Sequence, residues 1–200
     1  MFKSCSERGG KMNNGQDARE RIISATLQLL EEVEDVNDIT VRQIAQRVNV
    51  GVGLINYHFQ SKENLLIAVI GEEMKKMIAQ IPEEGSECAD PVKRLKYVLK
   101  QLCEYGMQNR KILQFALKQY IVSGNVQAQL SIIPLLKDVF AKDEMDLRII
   151  AQQIVLPLQA AAISTGTFHT YSGLNLEKKE HRDSFVDQLV DNLVKGKGVI

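Results

Sequence analysis

The chain has 200 residues, which is enough for one compact domain or two small ones. It carries 25 basic and 25 acidic residues, so its net charge is zero and does not by itself indicate a nucleic-acid partner. Hydrophobic residues make up 44% and charged residues 25%, which excludes a largely disordered protein. Three irregularly spaced cysteines argue against a disulfide framework and against a Cys-x-x-Cys metal or redox site, so we expect a reduced, cytoplasmic protein.

Apolar residues recur with the period of a helix along nearly the whole chain, which predicts an all-α protein. Residues 1–16 are polar and rich in Gly and Asn, without the apolar core of a signal peptide, and we expect a disordered arm there. The first helix is predicted from about Asp17. We predict a small unit at 17–60 and a helical bundle at 61–200, joined by a bridging helix at 61–81.

The segment from Ile149 to Leu176 contains no charged residue. Its most apolar part, Ile149 to Ile163, is shorter than the roughly 20 apolar residues that a spanning helix needs. We therefore predict a buried helix, kinked at Pro157, rather than a membrane span.

The strongest helix-start signal lies at Thr40. Thr40 and Gln43 form a Thr-x-x-Gln capping box, and Ile39 and Ile44 flank it as a hydrophobic staple. Asn49 tolerates the left-handed conformation that ends a helix. A short third helix is predicted over about 52–59.

Two short helices joined by a turn of three or four residues make a helix-turn-helix, whose second helix enters a DNA major groove. Charge agrees, because residues 40–62 contain Arg42, Arg47 and Lys62 and no acidic residue.

The residue types of the third helix suit docking in a groove. Gly51 and Gly53 permit close backbone approach, although each costs on the order of 1 kcal/mol in a helix relative to Ala. Asn56 can pair bidentately with adenine. Tyr57 and His58 carry donors for phosphate oxygens.

The run from Ile39 to Leu66 closely resembles the DNA-binding signature of TetR-type transcriptional regulators. The matching positions, in order, are Thr40, Ile44-Ala45, Val50, Gly53, Tyr57-His58-Phe59 and Ser61-Lys62-Glu63. The close match covers about residues 17–70. Two positions depart from the signature: Gly51 stands where a serine commonly caps the third helix, and Val52 where a polar base-contacting residue is frequent.

This resemblance implies a homodimeric repressor that binds a palindromic operator in double-stranded DNA and is released by a small molecule held in the C-terminal bundle. It implies phosphate contacts from Thr40, Tyr57, His58 and Lys62. The predicted DNA-binding residues are Thr40, Arg42, Val52, Gly53, Leu54, Asn56, Tyr57, His58 and Lys62.

The bundle offers weaker signals. We predict an apolar ligand pocket lined by Leu102, Cys103, Met107, Phe115, Tyr120, Phe168 and Tyr171. A broad apolar stripe on the last helix and small residues on the preceding one predict a four-helix dimer interface. Its predicted members are Ala161, Phe185, Val186, Leu189, Val190 and Leu193.

Other function classes find little support in the residues. His169 and His181 have no metal-ligand spacing around them, and no nucleophile motif or phosphate-binding loop occurs, so we predict no catalysis, no metal and no cofactor. Two alternatives stay open. One is a helical small-molecule carrier or enzyme with an incidental helix-turn-helix, and the other is a regulator without a small-molecule effector.

Overall fold

The structure, a computed structural model, describes residues 10–80 and 90–196. Every regular element in these two ranges is helical, which confirms the all-α prediction. The α-helices are α1 (Gly10–Glu32), α2 (Val41–Val48), α3 (Val52–Phe59), α4 (Lys62–Ala79), α5 (Pro91–Gln108), α6 (Arg110–Ser123), α7 (Gln127–Val139), α8 (Glu144–Ile163), α9 (Thr165–Ser172) and α10 (Lys179–Lys195).

The first helix starts earlier than its sequence predicts. α1 begins at Gly10 rather than near Asp17, so the predicted disordered arm is wrong for residues 10–16, and residues 1–9 lie outside the described residues. Each residue added to an existing helix gains one hydrogen bond. Polar residues can therefore extend a helix that tertiary packing already stabilises.

The chain forms two compact units that divide between Ile70 and Gly71, inside α4. The sequence placed the boundary at residue 60. Leu65, Leu66 and Val69 in the first half of α4 are almost completely buried, and they belong to the first unit. Ile81, where the bridging helix was predicted to end, lies outside the described residues.

In the first unit α1 packs on α2 and α3, and α2 packs on α3. Ile22, Leu30, Ile44 and Ile55 are among its largest fully buried side chains. Each such residue contributes about 1.5–3 kcal/mol relative to an exposed position. Burial of these side chains fixes the two helices of the helix-turn-helix on α1.

In the second unit α5, α7, α8 and α10 surround one apolar core. Val186 and Val190 are fully buried in that core, and Ala161 is only 3% exposed. These three were predicted at a dimer interface, and this part of the prediction is wrong because their side chains are already covered within a single chain. Phe185, Leu189 and Leu193 are partly buried against the same core.

The uncharged segment forms two helices. α8 continues through Pro157, and the break falls at Ser164, where α9 turns away at 107°. Within the described ranges no single helix is long and apolar enough to cross a membrane. α8 and α9 taken together meet that test by length and composition alone.

Candidate nucleic-acid interface

The start of α2 is closed by reciprocal hydrogen bonds. The Gln43 amide N–H donates to Thr40 Oγ1 at 3.2 Å, and the Thr40 N–H and hydroxyl both donate to Gln43 Oε1 at 2.7 Å. Ile39 and Ile44 are buried on either side of the cap. The predicted capping box is therefore confirmed, and it fixes where α2 begins.

The turn between α2 and α3 is built by Asn49 and by an arginine from α1. Asn49 has φ 53°, the left-handed conformation predicted for it, and its N–H bonds back to Ala45 and Gln46. Arg21 donates from Nη2 to the carbonyl of Val48 at 2.8 Å and so satisfies the end of α2. Gly51 then begins α3 without a side-chain cap, as the departure from the family signature suggested.

One face of α3 points into the first unit. Ile55 and Phe59 are 1% and 5% exposed, and the guanidinium of Arg19 lies 5.4 Å from the centre of the Phe59 ring. These contacts hold α3 at a fixed rotation about its axis. The opposite face is thereby kept in solvent.

The outer face of α3 comprises Val52, Gly53, Asn56 and Tyr57. Val52 is 37% and Tyr57 78% exposed, and Asn56 is also exposed. A Cβ placed on Gly53 would meet nothing within 4 Å, so the backbone there is bare. An exposed aromatic and amide beside a bare glycine can approach a large partner closely.

His58 and Leu54 were both predicted to contact DNA, but they are less exposed than Val52, Asn56 and Tyr57. Both are half-buried. The Nε2 of His58 is shielded from solvent and has no hydrogen-bond partner among the described residues. Its ring packs edge-on against the ring of Tyr57, with ring centres 5.2 Å apart.

The three cations of residues 40–62 differ in their surroundings. Arg42 is exposed on α2. Lys62 donates from Nζ to the carbonyl of Asn37 at 3.0 Å. Arg47 donates to both carboxylate oxygens of Glu32, at 2.7 and 2.9 Å.

The Arg47–Glu32 pair was missed by the sequence analysis. Glu32 is the second residue of an acidic segment, Glu31 to Asp38, that precedes α2. The hydrogen bond from Arg47 lowers the pKa of Glu32, and the same bond raises the pKa of Arg47. The two residues are 15 positions apart, so no spacing rule could have paired them.

In the second unit the predicted pocket residues do not share one environment. Cys103 and Phe115 are buried, and Leu102, Met107, Tyr120 and Phe168 are partly buried. Phe168 packs against Phe185, with ring centres 4.8 Å apart. Tyr120 accepts a hydrogen bond from the side-chain amide of Gln152.

Tyr171 is 89% exposed at the end of α9, so its assignment to the pocket is wrong. Its helix is short and contains no buried residue, which leaves the ring in solvent. His181 accepts a hydrogen bond from the Asn175 N–H at 2.9 Å. In the described part of the chain no three His, Cys, Asp or Glu side chains come together as metal ligands.

Comparison with known proteins finds a family model that matches part of the first unit. Residues 22–69 match the family model described as bacterial regulatory proteins, tetR family. The transcriptional repressor KstR of Mycolicibacterium smegmatis is 26% identical over 113 residues, which is 56% of this chain and 54% of the relative. The regulator BetI of Cronobacter sakazakii is 36% identical over 59 residues, covering 30% of this chain and 29% of the relative.

The KstR-type relatives match over about half of their own length. Solved structures extend the likeness of the fold. A TetR transcriptional regulator from Rhodococcus sp. RHA1 superposes with a TM-score of 0.63 at 18% identity, over 90% of this chain and 97% of that one. Thermus thermophilus FadR, solved in complex with lauroyl-CoA, gives a TM-score of 0.54 at 17% identity, over 91% and 95%.

The capping box, the left-handed turn and the exposed face of α3 occupy the residues that the family model matches. Curated relatives of the chain are named as a transcriptional repressor and a transcriptional regulator. Residues 22–69 of this chain therefore match the helix-turn-helix region of the tetR family of bacterial regulatory proteins.

Proposed function

We propose that this chain is a transcriptional repressor that binds a palindromic DNA operator as a homodimer and is released by a small molecule. The observation that carries the proposal is the solvent-exposed outer face of α3. This helix lies within residues 40–62, which contain no carboxylate side chain. A helix with such a face fits the width of a DNA major groove.

Each residue of the interface has a role that its chemistry supports. Asn56 is the base reader, because its amide can pair with both N6 and N7 of adenine. Val52 is suited to a thymine methyl group. The hydroxyls of Thr40 and Tyr57 and the ammonium of Lys62 are suited to phosphate oxygens, which set the register of the protein on the duplex.

A dimer accounts for a palindromic operator, since a two-fold axis in the protein repeats in the DNA. α8 carries Met145 and Ile149 one turn apart, and they are 67% and 51% exposed. Phe185, Leu189 and Leu193 of α10 are only partly buried. We place the interface on these two helices, where a partner would cover apolar surface that one chain leaves in water.

The effector is proposed to bind in the second unit and to act by population shift. A small molecule that fits the DNA-incompetent arrangement better than the competent one releases the repressor by that difference in affinity. α4 is the proposed moving element, because it begins in the first unit and ends in the second. The lauroyl-CoA complex of the similar Thermus thermophilus repressor supports a small-molecule effector in principle. Such a regulator would work in the cytoplasm, where bacterial DNA lies.

A binding titration tests the proposal. The full chain is titrated against DNA from beside its own gene and against duplexes enriched from a random pool, with an unrelated duplex as control, at several salt concentrations. We expect two protomers on a palindrome and at least 10³-fold preference over the control, as specific DNA binders show. Equal affinity for the control and for every enriched duplex would overturn the proposal.

A further inference from the structure

Three glutamine side chains are buried in the second unit: Gln119, Gln129 and Gln159 are 9%, 5% and 9% exposed. Gln119 accepts a hydrogen bond from the Ser123 hydroxyl at 3.1 Å. For Gln129, by contrast, neither the oxygen nor the nitrogen of the side chain has a partner among the described residues, and the oxygen of Gln159 has none either. A buried amide without a hydrogen-bond partner destabilises the folded chain, so these two side chains call for an explanation.

The helix register puts Gln129 and Gln159 within about two turns of each other along the bundle. α7 and α8 form a hairpin joined by residues 140–143. Counting about ten residues back from Val139 and forward from Glu144 puts Gln129 level with Ile154, and Gln159 about 7.5 Å further along α8 at 1.5 Å per residue. Ile132, Ile133 and Leu158 beside them are core residues. A small molecule with one polar end can reach both amides while its apolar part packs on the core.

The chemistry of the amides restricts the ligand. Both oxygens need a hydrogen-bond donor, and the Gln129 nitrogen needs an acceptor. A ketone or ester only accepts, and so it cannot satisfy either oxygen. No charged side chain is buried among the described residues, so an ionised group would have no counter-charge there.

The position also suits a role in regulation. Gln127, two residues before Gln129, has its Cγ 3.5 Å from where a Cβ on Gly71 would lie. Gly71 is part of α4, the helix proposed to move. A ligand held by Gln129 would therefore act on the turn of α7 that touches α4.

We infer that Gln129 and Gln159 bind the effector, and that this effector is an uncharged, mainly apolar molecule with a primary amide group, which offers two N–H donors and one acceptor oxygen. The inference rests on the proposed function, since it names the class of molecule that would release the repressor.

The test compares three probes of matched chain length on the full chain without DNA. Octanamide donates and accepts, 2-nonanone only accepts, and octanoate is charged. Calorimetry should show octanamide binding at least tenfold more tightly than the other two. In chains labelled with ¹⁵N-glutamine, octanamide should shift the side-chain NH₂ resonances that Gln129→Leu and Gln159→Leu remove.

Variants separate a ligand site from a merely buried amide. Gln129→Leu should raise the unfolding midpoint without probe by about 2–4 °C, because an unsatisfied polar group is replaced by an apolar one. It should also weaken octanamide binding at least tenfold. Gln153→Leu, the same change at an exposed position of α8, should alter neither quantity.

Equal binding of all three probes, or no binding of any, would overturn the inference. So would unchanged octanamide affinity in both Gln129→Leu and Gln159→Leu, or a crystal structure of the octanamide-soaked protein with only ordered water on Gln129. The DNA titration is independent of these results. Selective octanamide binding without DNA binding would contradict the repressor, whereas DNA binding without octanamide binding would contradict only the ligand assignment.

Discussion

Arg47 on α2 donates two hydrogen bonds to Glu32, the last residue of α1, and so one cation of the helix-turn-helix is neutralised within its own unit. Both side chains lie at the surface, so the pair contributes little to stability. Its larger effect is on charge. Glu32 compensates a positive charge that Arg47 would otherwise add to the proposed DNA interface.

Glu32→Gln should therefore strengthen DNA binding, increase its salt dependence and leave the unfolding midpoint nearly unchanged. A freed Arg47 that reaches one phosphate steepens the slope of log K against log salt by about 0.9. Arg47→Ala should change the slope little in the parent chain and reverse the gain in the Glu32→Gln background. Equal slopes in the parent and Glu32→Gln chains, measured over 50–300 mM salt, would contradict this role.

Asn56 and Tyr57 should separate specificity from affinity. Asn56→Ala should relax the preference at one base pair of each half-site, at a cost of about 1–3 kcal/mol on the best operator. Tyr57→Phe removes only a hydroxyl from a ring that is 78% exposed. Tyr57→Phe should weaken binding to the operator and to the control duplex by a similar factor. Binding to a library of single-base operator variants measures both effects, and a uniform loss with Asn56→Ala would exclude it as the base reader.

Thr40 should stabilise the first unit through its cap. Thr40→Ala removes the hydroxyl that bonds with Gln43, and it should lower the free energy of unfolding by about 1 kcal/mol. Thr40→Ser keeps the hydroxyl and should unfold like the parent chain. Denaturant titrations followed by circular dichroism compare the two. Should both variants lose the same stability, the methyl group and not the cap would be responsible.

Cys103 should be unreactive in the folded chain. Burial raises the pKa of its thiol from 9.0 to about 11, because a thiolate is poorly solvated in the apolar core. A raised folded pKa favours the folded state fully below pH 9, and this contribution is lost as the pH rises through about 11.

Stability of the parent chain should thus fall more steeply between pH 9 and 11 than that of Cys103→Ala, in which this titration is absent. Denaturant titrations at each pH measure the difference. Labelling with iodoacetamide at pH 8 should leave Cys103 unmodified until the chain unfolds. Rapid labelling of the native protein at this position, identified by peptide mass, is the result that would refute its protection.

Ile149 should test the proposed dimer. Ile149→Glu puts a charge on a side chain that is 51% exposed, so the chain should still fold. We expect monomers in analytical ultracentrifugation and a loss of palindrome binding, because two linked half-sites no longer act together. Val122→Glu is the matched control, since Val122 is an apolar residue of α6 that is 72% exposed and lies outside the proposed interface. A dimer that persists in Ile149→Glu would move the interface elsewhere.

The sequence alone was sufficient for the helix-turn-helix because its signals are local. Thr40 and Gln43 are three residues apart and satisfy each other's backbone groups, and Asn49 ends α2 through its own backbone conformation. The bounds of α3, Val52 to Phe59, follow from the same short-range pattern. Interactions between residues three or four apart follow from the helix period, so the sequence of a single helix is enough to predict them.

Tertiary structure alone decided which partner each helix face meets. An apolar stripe on α10 predicts burial, but only packing against α5 and α8 assigns Val186 and Val190 to the core of one chain rather than to a dimer. Arg47 and Glu32 meet because α1 and α2 pack together. Contacts between residues far apart in sequence depend on how the helices pack in three dimensions, and no periodicity within one helix contains that information.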